Sequence, residues 1–157
     1  SSGSSTKILC PLALADTGLR WHLRAYDRER SRFSDFVLTR ITEAQAIDQP
    51  IPTEQQIEAD TQWARVVHLE LVPHPGVTHP RAIEADFMMT KGVLSMEMRA
   101  PLVGYALRRW SVDCTPSHTL DPAQHHLWLR NNQTLYGVES AALAPGYLET
   151  ETNNDNL

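Results

Sequence analysis

A chain of 157 residues with 41% hydrophobic residues suits one ordinary domain or two small ones, and no stretch approaches the roughly 18 consecutive apolar residues of a membrane span. The net charge of −5 argues against a general polyanion-binding surface, and the opening Ser1-Ser2-Gly3-Ser4-Ser5 lacks the basic start and apolar core of a signal peptide. Cys10 and Cys114 stand far apart, which argues against a disulfide framework and suits reduced thiols in a cytoplasmic protein.

Residues 1–7 read as a loop or a truncated strand. Thr6 to Leu14 is a short apolar run interrupted by Pro11, which removes a ladder donor and marks an edge or bent strand. Asp16-Thr17-Gly18 is a turn signal. Trp21 to Tyr26 then alternates: Trp21, Leu23 and Ala25 face one way, His22, Arg24 and Tyr26 the other. A polar reversal from Asp27 to Ser31 leads into Arg32 to Ile41, rich in aromatic and β-branched residues, where Arg32, Ser34, Phe36, Leu38 and Arg40 share a face. Three such strands joined by tight turns predict an antiparallel meander or a small barrel, with Trp21 and Leu23 inside and His22, Arg24 and Tyr26 facing solvent.

Thr42 to Asp60 is polar, carries Pro50 and Pro52, and reads as a linker with one short helix at Glu54 to Asp60. A second unit follows. Trp63 to Val72 alternates as a strand, His79-Pro80-Arg81 opens a helix to about Met88, and Gly92 to Arg99 is a strand. Pro101 to Val112 predicts a helix whose apolar stripe is Leu102, Ala106 and Trp110, flanked by Val103 and Leu107. His126 to Arg130 is a last short strand. The order β-α-β-α-β points to a ferredoxin-like half, and Glu149 to Leu157 is expected to be disordered.

Between Arg20 and Arg40 lie six arginines against three carboxylates, Asp27, Glu29 and Asp35, so this stretch is positive within an acidic chain. The planar fork of arginine matches phosphate oxygens, which points to a defined anionic ligand. Surface ion pairs with Asp27 and Asp35 are the alternative use of the same residues. No Gly-rich phosphate loop, nucleophile elbow or paired-histidine zinc motif is present, so no enzyme activity, cofactor or metal site is expected. The adjacent His125 and His126 would point to opposite faces of a strand and do not chelate one ion. Cys10 beside Pro11 in an apolar strand reads as buried and inert rather than as a nucleophile.

The run Gly18 to Asp27 (GLRWHLRAYD) and then Phe33 to Ile41 (FSDFVLTRI) resembles the WYL domain, with Trp21-His22-Leu23 where that family has its name-giving triplet. The segments PHPGV, RAIEADFMM, GVLSMEMRAPLVGYALRRWSVD and LWLRN resemble the C-terminal extension of WYL regulators of the BrxR/CapW type, which accompany phage-defence operons. The resemblance covers about residues 6–132 and implies an α+β chain. Its first part would be a small Sm-like, SH3-type β-barrel at 1–42, with the family's first strand lying ahead of Ser1 and Ser1–Ser5 as the loop after it. A linker at 43–62, a dimerisation extension at 63–137 and a tail at 138–157 would follow. It implies the ligand-sensing and dimerisation part of a homodimeric bacterial transcription regulator, touching operator DNA only through a winged helix-turn-helix that this chain does not contain. The effector would be a nucleotide or single-stranded oligonucleotide held by His22, Arg24, Tyr26, Arg32, Phe36 and Arg40. Arg24 and Arg40 would clamp phosphate, and Tyr26 and Phe36 would wall the pocket. The alternatives are an accessory module that holds single strands directly, without allostery, and a small hydrolase.

Overall fold

The computed structural model describes residues 3–149 and divides into two compact units, one ending at Arg65 and one starting at Val66. The residues expected to be disordered lie, beyond Glu149, outside the described residues, as do Ser1 and Ser2.

In the first unit, β1 (Leu9–Asp16), β2 (Trp21–Asp27) and β3 (Arg32–Val37) form an antiparallel meander in the order β1-β2-β3. The turns follow the expected chemistry. Gly18 takes a φ of 78° and its N–H donates to the Asp16 side chain, while the buried Asp27 carboxylate accepts the N–H groups of Glu29 and Arg30. Pro11 sits at an irregularity in the β1–β2 register, between Pro11 and Ala13.

Two expectations for this unit are corrected. No sheet closes into a barrel. Among the described residues β1 and β3 each pair with β2 alone, and three strands leave two open edges. The strand expected to reach Ile41 stops at Val37, where a 3-10 turn, Leu38–Arg40, takes over, so Arg40 does not continue the alternation. The polar stretch that follows has no regular structure until two 3-10 turns, Thr53–Gln55 and Ile57–Ala59, and a one-turn helix α1 (Thr61–Ala64).

The second unit is also α+β. It contains β4 (Val66–Pro73), α2 (Pro80–Asp86), β5 (Leu94–Arg99), α3 (Ala100–Arg109), β6 (Val112–Asp113) and β7 (Leu127–Leu129), with the sheet order β5-β4-β7-β6. It is not a ferredoxin-like half. β4 and β5 are antiparallel neighbours, and β6 and β7 form the parallel pair. At seven residues α2 covers about 10 Å, less than half the roughly 26 Å of β4, so it does not return the chain along the strand as a crossover helix does.

Val67, Leu69 and Leu71 of β4 form the core with Val103 and Leu107 of α3, Leu127 and Leu129 of β7, and Leu135. Val138, Ala141 and Ala144 complete it, from a stretch that sequence reading places in the tail. The buried stripe of α3 is Ala100, Val103, Gly104 and Leu107, rotated from the expected Leu102–Ala106–Trp110 line; Trp110 is exposed. The rotation comes from close packing. The Gly104 N–H donates to Ser140 Oγ at 2.9 Å, and Ser140 Oγ donates to the Ala100 carbonyl at 2.6 Å.

A buried polar clamp holds the end of β4 to β6. His74 and Asp113 lie 2.9 Å apart, and Asp113 also accepts from the Thr115 backbone and hydroxyl and from the Leu120 N–H. The two cysteines, Cys10 and Cys114, are free and buried.

Candidate ligand-sensing site

Residues opposite one another in an antiparallel pair point to the same side of the sheet. His22, Arg24 and Tyr26 lie opposite Val37, Asp35 and Phe33, and on their other flank opposite Ala15, Ala13 and Cys10. Arg32 and Phe36 lie opposite Asp27 and Leu23, so they belong to the other face. The six expected site residues therefore do not share one surface. His22, Arg24 and Tyr26 do, and Arg32 and Phe36 back onto the opposite side.

The expected burial fails at Trp21, His22 and Arg24, while Leu23 is partly buried and Ala25 on its face is fully buried. His22 and Arg24 are each only 4% exposed, while Trp21 is 51% exposed. Period two in the sequence says which residues share a face but not which face is covered. The cover comes from the polar segment after β3. Gln55 Oε1 accepts from Cys10 Sγ and from Arg28 Nε, and Arg28 also donates to the Gln49 side chain and the Pro50 carbonyl. Arg28 is thus spent on fastening this segment.

Arg24 is the centre of the covered face. Its Nε donates to Asp60 Oδ2 at 2.7 Å, its Nη2 to Asp60 Oδ1 at 2.9 Å, and its Nη1 to Asp35 Oδ1 at 3.3 Å. Burial opposes the charge on Arg24, but its bonds to Asp60 and the nearby Asp35 more than offset it, and its pKa moves up. The guanidinium fork expected to clamp phosphate is filled by carboxylates. Tyr26 meets Phe33 edge to face, ring centres 5.0 Å apart, which serves packing.

His22 lies in a different field. Burial lowers its pKa, Asp35 opposes this, and the charges of Arg20 and Arg40 lower it further; a hydrogen bond to the Arg20 backbone works the other way. Both arginines are exposed. The turn before β2 positions Arg20, and the 3-10 turn after β3 positions Arg40, so two guanidinium groups act on one buried imidazole at the same end of the sheet. Arg20 belongs to the basic cluster in the sequence and stands two residues before His22, but the expected strand began at Trp21 and left Arg20 in the turn.

No group of three metal-ligating side chains occurs among the described residues, and no helix there is long and apolar enough to cross a membrane.

Residues 1–46 match the family model of the WYL domain, and residues 66–135 match that of the BrxR transcriptional regulator, C-terminal dimerization domain. The chain belongs to this family: a WYL-domain protein with a BrxR-type C-terminal domain, a class of regulatory modules rather than of enzymes. Its relatives include the DNA-binding transcriptional repressor CapW of Escherichia coli (strain KTE188), 32% identical over 136 residues that span 85% of this chain and 44% of that one. The repressor of the same name from Pseudomonas aeruginosa is 39% identical over 103 residues, 64% of this chain and 33% of that one. That from Stenotrophomonas maltophilia is 32% identical over 126 residues, 79% and 41%. The chain spans less than half the length of these curated relatives.

Proposed function

We propose that this chain is the ligand-sensing and dimerisation part of a DNA-binding transcription repressor of the phage-defence type. In this reading the three-stranded sheet takes a phosphorylated effector, a nucleotide or short single-stranded oligonucleotide, and residues 66–135 pair two copies. The observation that carries it is the placement at one end of the sheet of buried His22, with exposed Arg20 just ahead of β2 and exposed Arg40 just after β3, within a WYL domain. The kinship with CapW repressors and with a named dimerization domain supports the regulatory half of the reading.

The expected effector set of six narrows accordingly. Arg20, His22 and Arg40 receive the anion, Arg24 and Tyr26 follow along the same face, and Arg32 and Phe36 fall away to the other face. Each well-aligned charge-assisted bond contributes about 1.5–3 kcal/mol, so loss of one arginine weakens binding roughly ten- to hundredfold.

The test is titration of a 5′-phosphorylated four-nucleotide thymidine strand against the full chain and the variants Arg20→Ala, Arg40→Ala and Arg32→Ala, at two salt concentrations. Arg20→Ala and Arg40→Ala are expected to bind weakly and Arg32→Ala to bind normally. Equal binding by all four proteins removes the site. A long strand that binds far better than the four-nucleotide strand favours direct holding of single strands over sensing. Sedimentation at micromolar concentration tests the pairing of copies, and a folded monomer overturns it.

A further inference from the structure

We propose that Asp60 is a built-in competitor for the effector: its carboxylate fills the Arg24 fork as a phosphate would, and a phosphorylated ligand that takes Arg24 displaces it and unlatches the segment Thr53–Ala64. This rests on the reading of the His22 end of the sheet as the effector site.

The contact has the form of an anion-recognition pair. Two nitrogens of Arg24, Nε and Nη2, meet the two oxygens of one carboxylate at 2.7 and 2.9 Å, the parallel fork geometry by which arginine also grips phosphate. Both partners are buried, Asp60 at 1% exposed. Arg24 follows His22 by two residues on the same strand face, a separation of about 7 Å. A ligand seated at Arg20, His22 and Arg40 thus needs one more phosphate-length step to reach the Arg24 fork. Asp35 stays beside Arg24 through Nη1, so the guanidinium keeps one carboxylate neighbour when Asp60 leaves.

Asp60 carries a second task that makes its departure consequential. Its Oδ1 accepts the Trp63 N–H at 3.2 Å and its carbonyl accepts the Ala64 N–H at 3.0 Å, capping α1. A four-residue helix has no stability of its own and depends on such a cap. The preceding 3-10 turns, Thr53–Gln55 and Ile57–Ala59, have no fully buried residue, so hydrogen bonds such as those to Gln55 are important in holding this segment to the sheet. Displacing Asp60 removes the bidentate one. The segment so released runs directly into β4, which starts at Val66. Effector occupancy is therefore converted into loosening of the chain that joins the two units.

The experiment is amide hydrogen exchange on the full chain, with and without the 5′-phosphorylated four-nucleotide strand, together with binding by Asp60→Asn. The amides of Trp63, Ala64 and Arg65 are expected to exchange faster in the wild type when the strand is bound. Asp60→Asn, which keeps a capping oxygen but loses the competing charge, is expected to bind about tenfold more tightly and to show the faster exchange with no ligand. If the wild type binds and Arg40→Ala weakens it, yet those amides keep their rate or gain protection, the effector site stands and the latch falls. Weaker or unchanged binding by a folded Asp60→Asn also overturns the latch. If neither protein binds the strand, the effector reading fails and takes the latch with it. Should Asp60→Asn not fold, the wild-type exchange measurement decides alone.

Discussion

His74 donates its Nε2 proton to Asp113. The Gly76 N–H can only donate, and it points at His74 Nδ1 from 3.0 Å, so Nδ1 accepts and the proton sits on Nε2, 2.9 Å from Asp113 Oδ2. The imidazole is neutral and both of its nitrogens are used. Asp113 takes this bond and three others while fully buried.

Asp113→Ala is therefore expected to destabilise the second unit by about 3 kcal/mol or more, because it strands three buried donors and a part-buried one. Denaturant unfolding followed at a probe in residues 66–144 checks this. Burial alone raises the Asp113 pKa, but the bonds from Thr115, Leu120 and His74 bring it below the ordinary carboxylate value. A depressed pKa in the folded state contributes stability that is present above about pH 4 and is lost as pH falls through the lowered value. Wild-type stability should drop there more steeply than that of Asp113→Ala. Parallel pH curves for the two proteins contradict the assignment.

Gly104→Ala is expected to cost about 3 kcal/mol or more. A Cβ at this position would lie 1.7 Å from the Ser140 carbonyl oxygen, and that atom is backbone, so it cannot swing aside. Gly3→Ala, with nothing within 4 Å, serves as the neutral control. Thermal unfolding of both variants checks the pair, and a Gly104→Ala melting point within a degree or two of wild type would disprove the packing.

His22 is expected to titrate below its ordinary value of 6.5 in the free protein. The folded state resists the proton, so the contribution of His22 is present above that value and lost as pH falls from it toward the lowered pKa. Asp35 faces the ring as the opposing charge and Arg20 and Arg40 as the reinforcing ones. An anion seated between the arginines screens them, so saturating pyrophosphate should raise the His22 pKa. NMR titration of the ring resonance reads both values, and a His22 pKa that pyrophosphate leaves unmoved speaks against anion binding at this end.

Arg24→Met is expected to destabilise the first unit by about 3–5 kcal/mol, since it leaves the Asp60 carboxylate buried without its cation. Arg32→Met, on the exposed edge of the other face, should change stability by less than about 0.5 kcal/mol. Equal losses in denaturant titrations would refute the distinction between the two arginines.

The strands were legible because alternation is a local property. Trp21 to Asp27 shows its period of two directly, and the structure places β2 there. That the His22–Arg24 face is covered was not legible, because its cover is a segment without apolar period, held by Gln55, Arg28 and Asp60 through hydrogen bonds. The buried Asp60 looks in sequence like any linker carboxylate. In α3 the stripe was misplaced by its large residues. Ala100 and Gly104 lie at the closest contact because they are small, and hydrophobic periodicity gives such residues little weight. Strand β6 is two residues long, too short to show a period; the expected helix takes in its Val112, and nothing in the pattern marks Asp113 as a buried partner. The strand and turn pattern allowed a meander or a small barrel, the family resemblance favoured the barrel, and the three strands pair as the meander.

The insertion of β7 between β4 and β6 has a consequence for synthesis. While the ribosome has delivered only residues up to His126, β4 and β5 can already pair as neighbours, but β6 has no strand to lie against, because among the described residues it pairs with β7 alone. The three residues Leu127–Leu129 must thread into a gap whose two walls were made at different times. The nascent second unit is thus expected to stay open to proteases until those residues, and then Val138 to Ala144, emerge from the exit tunnel.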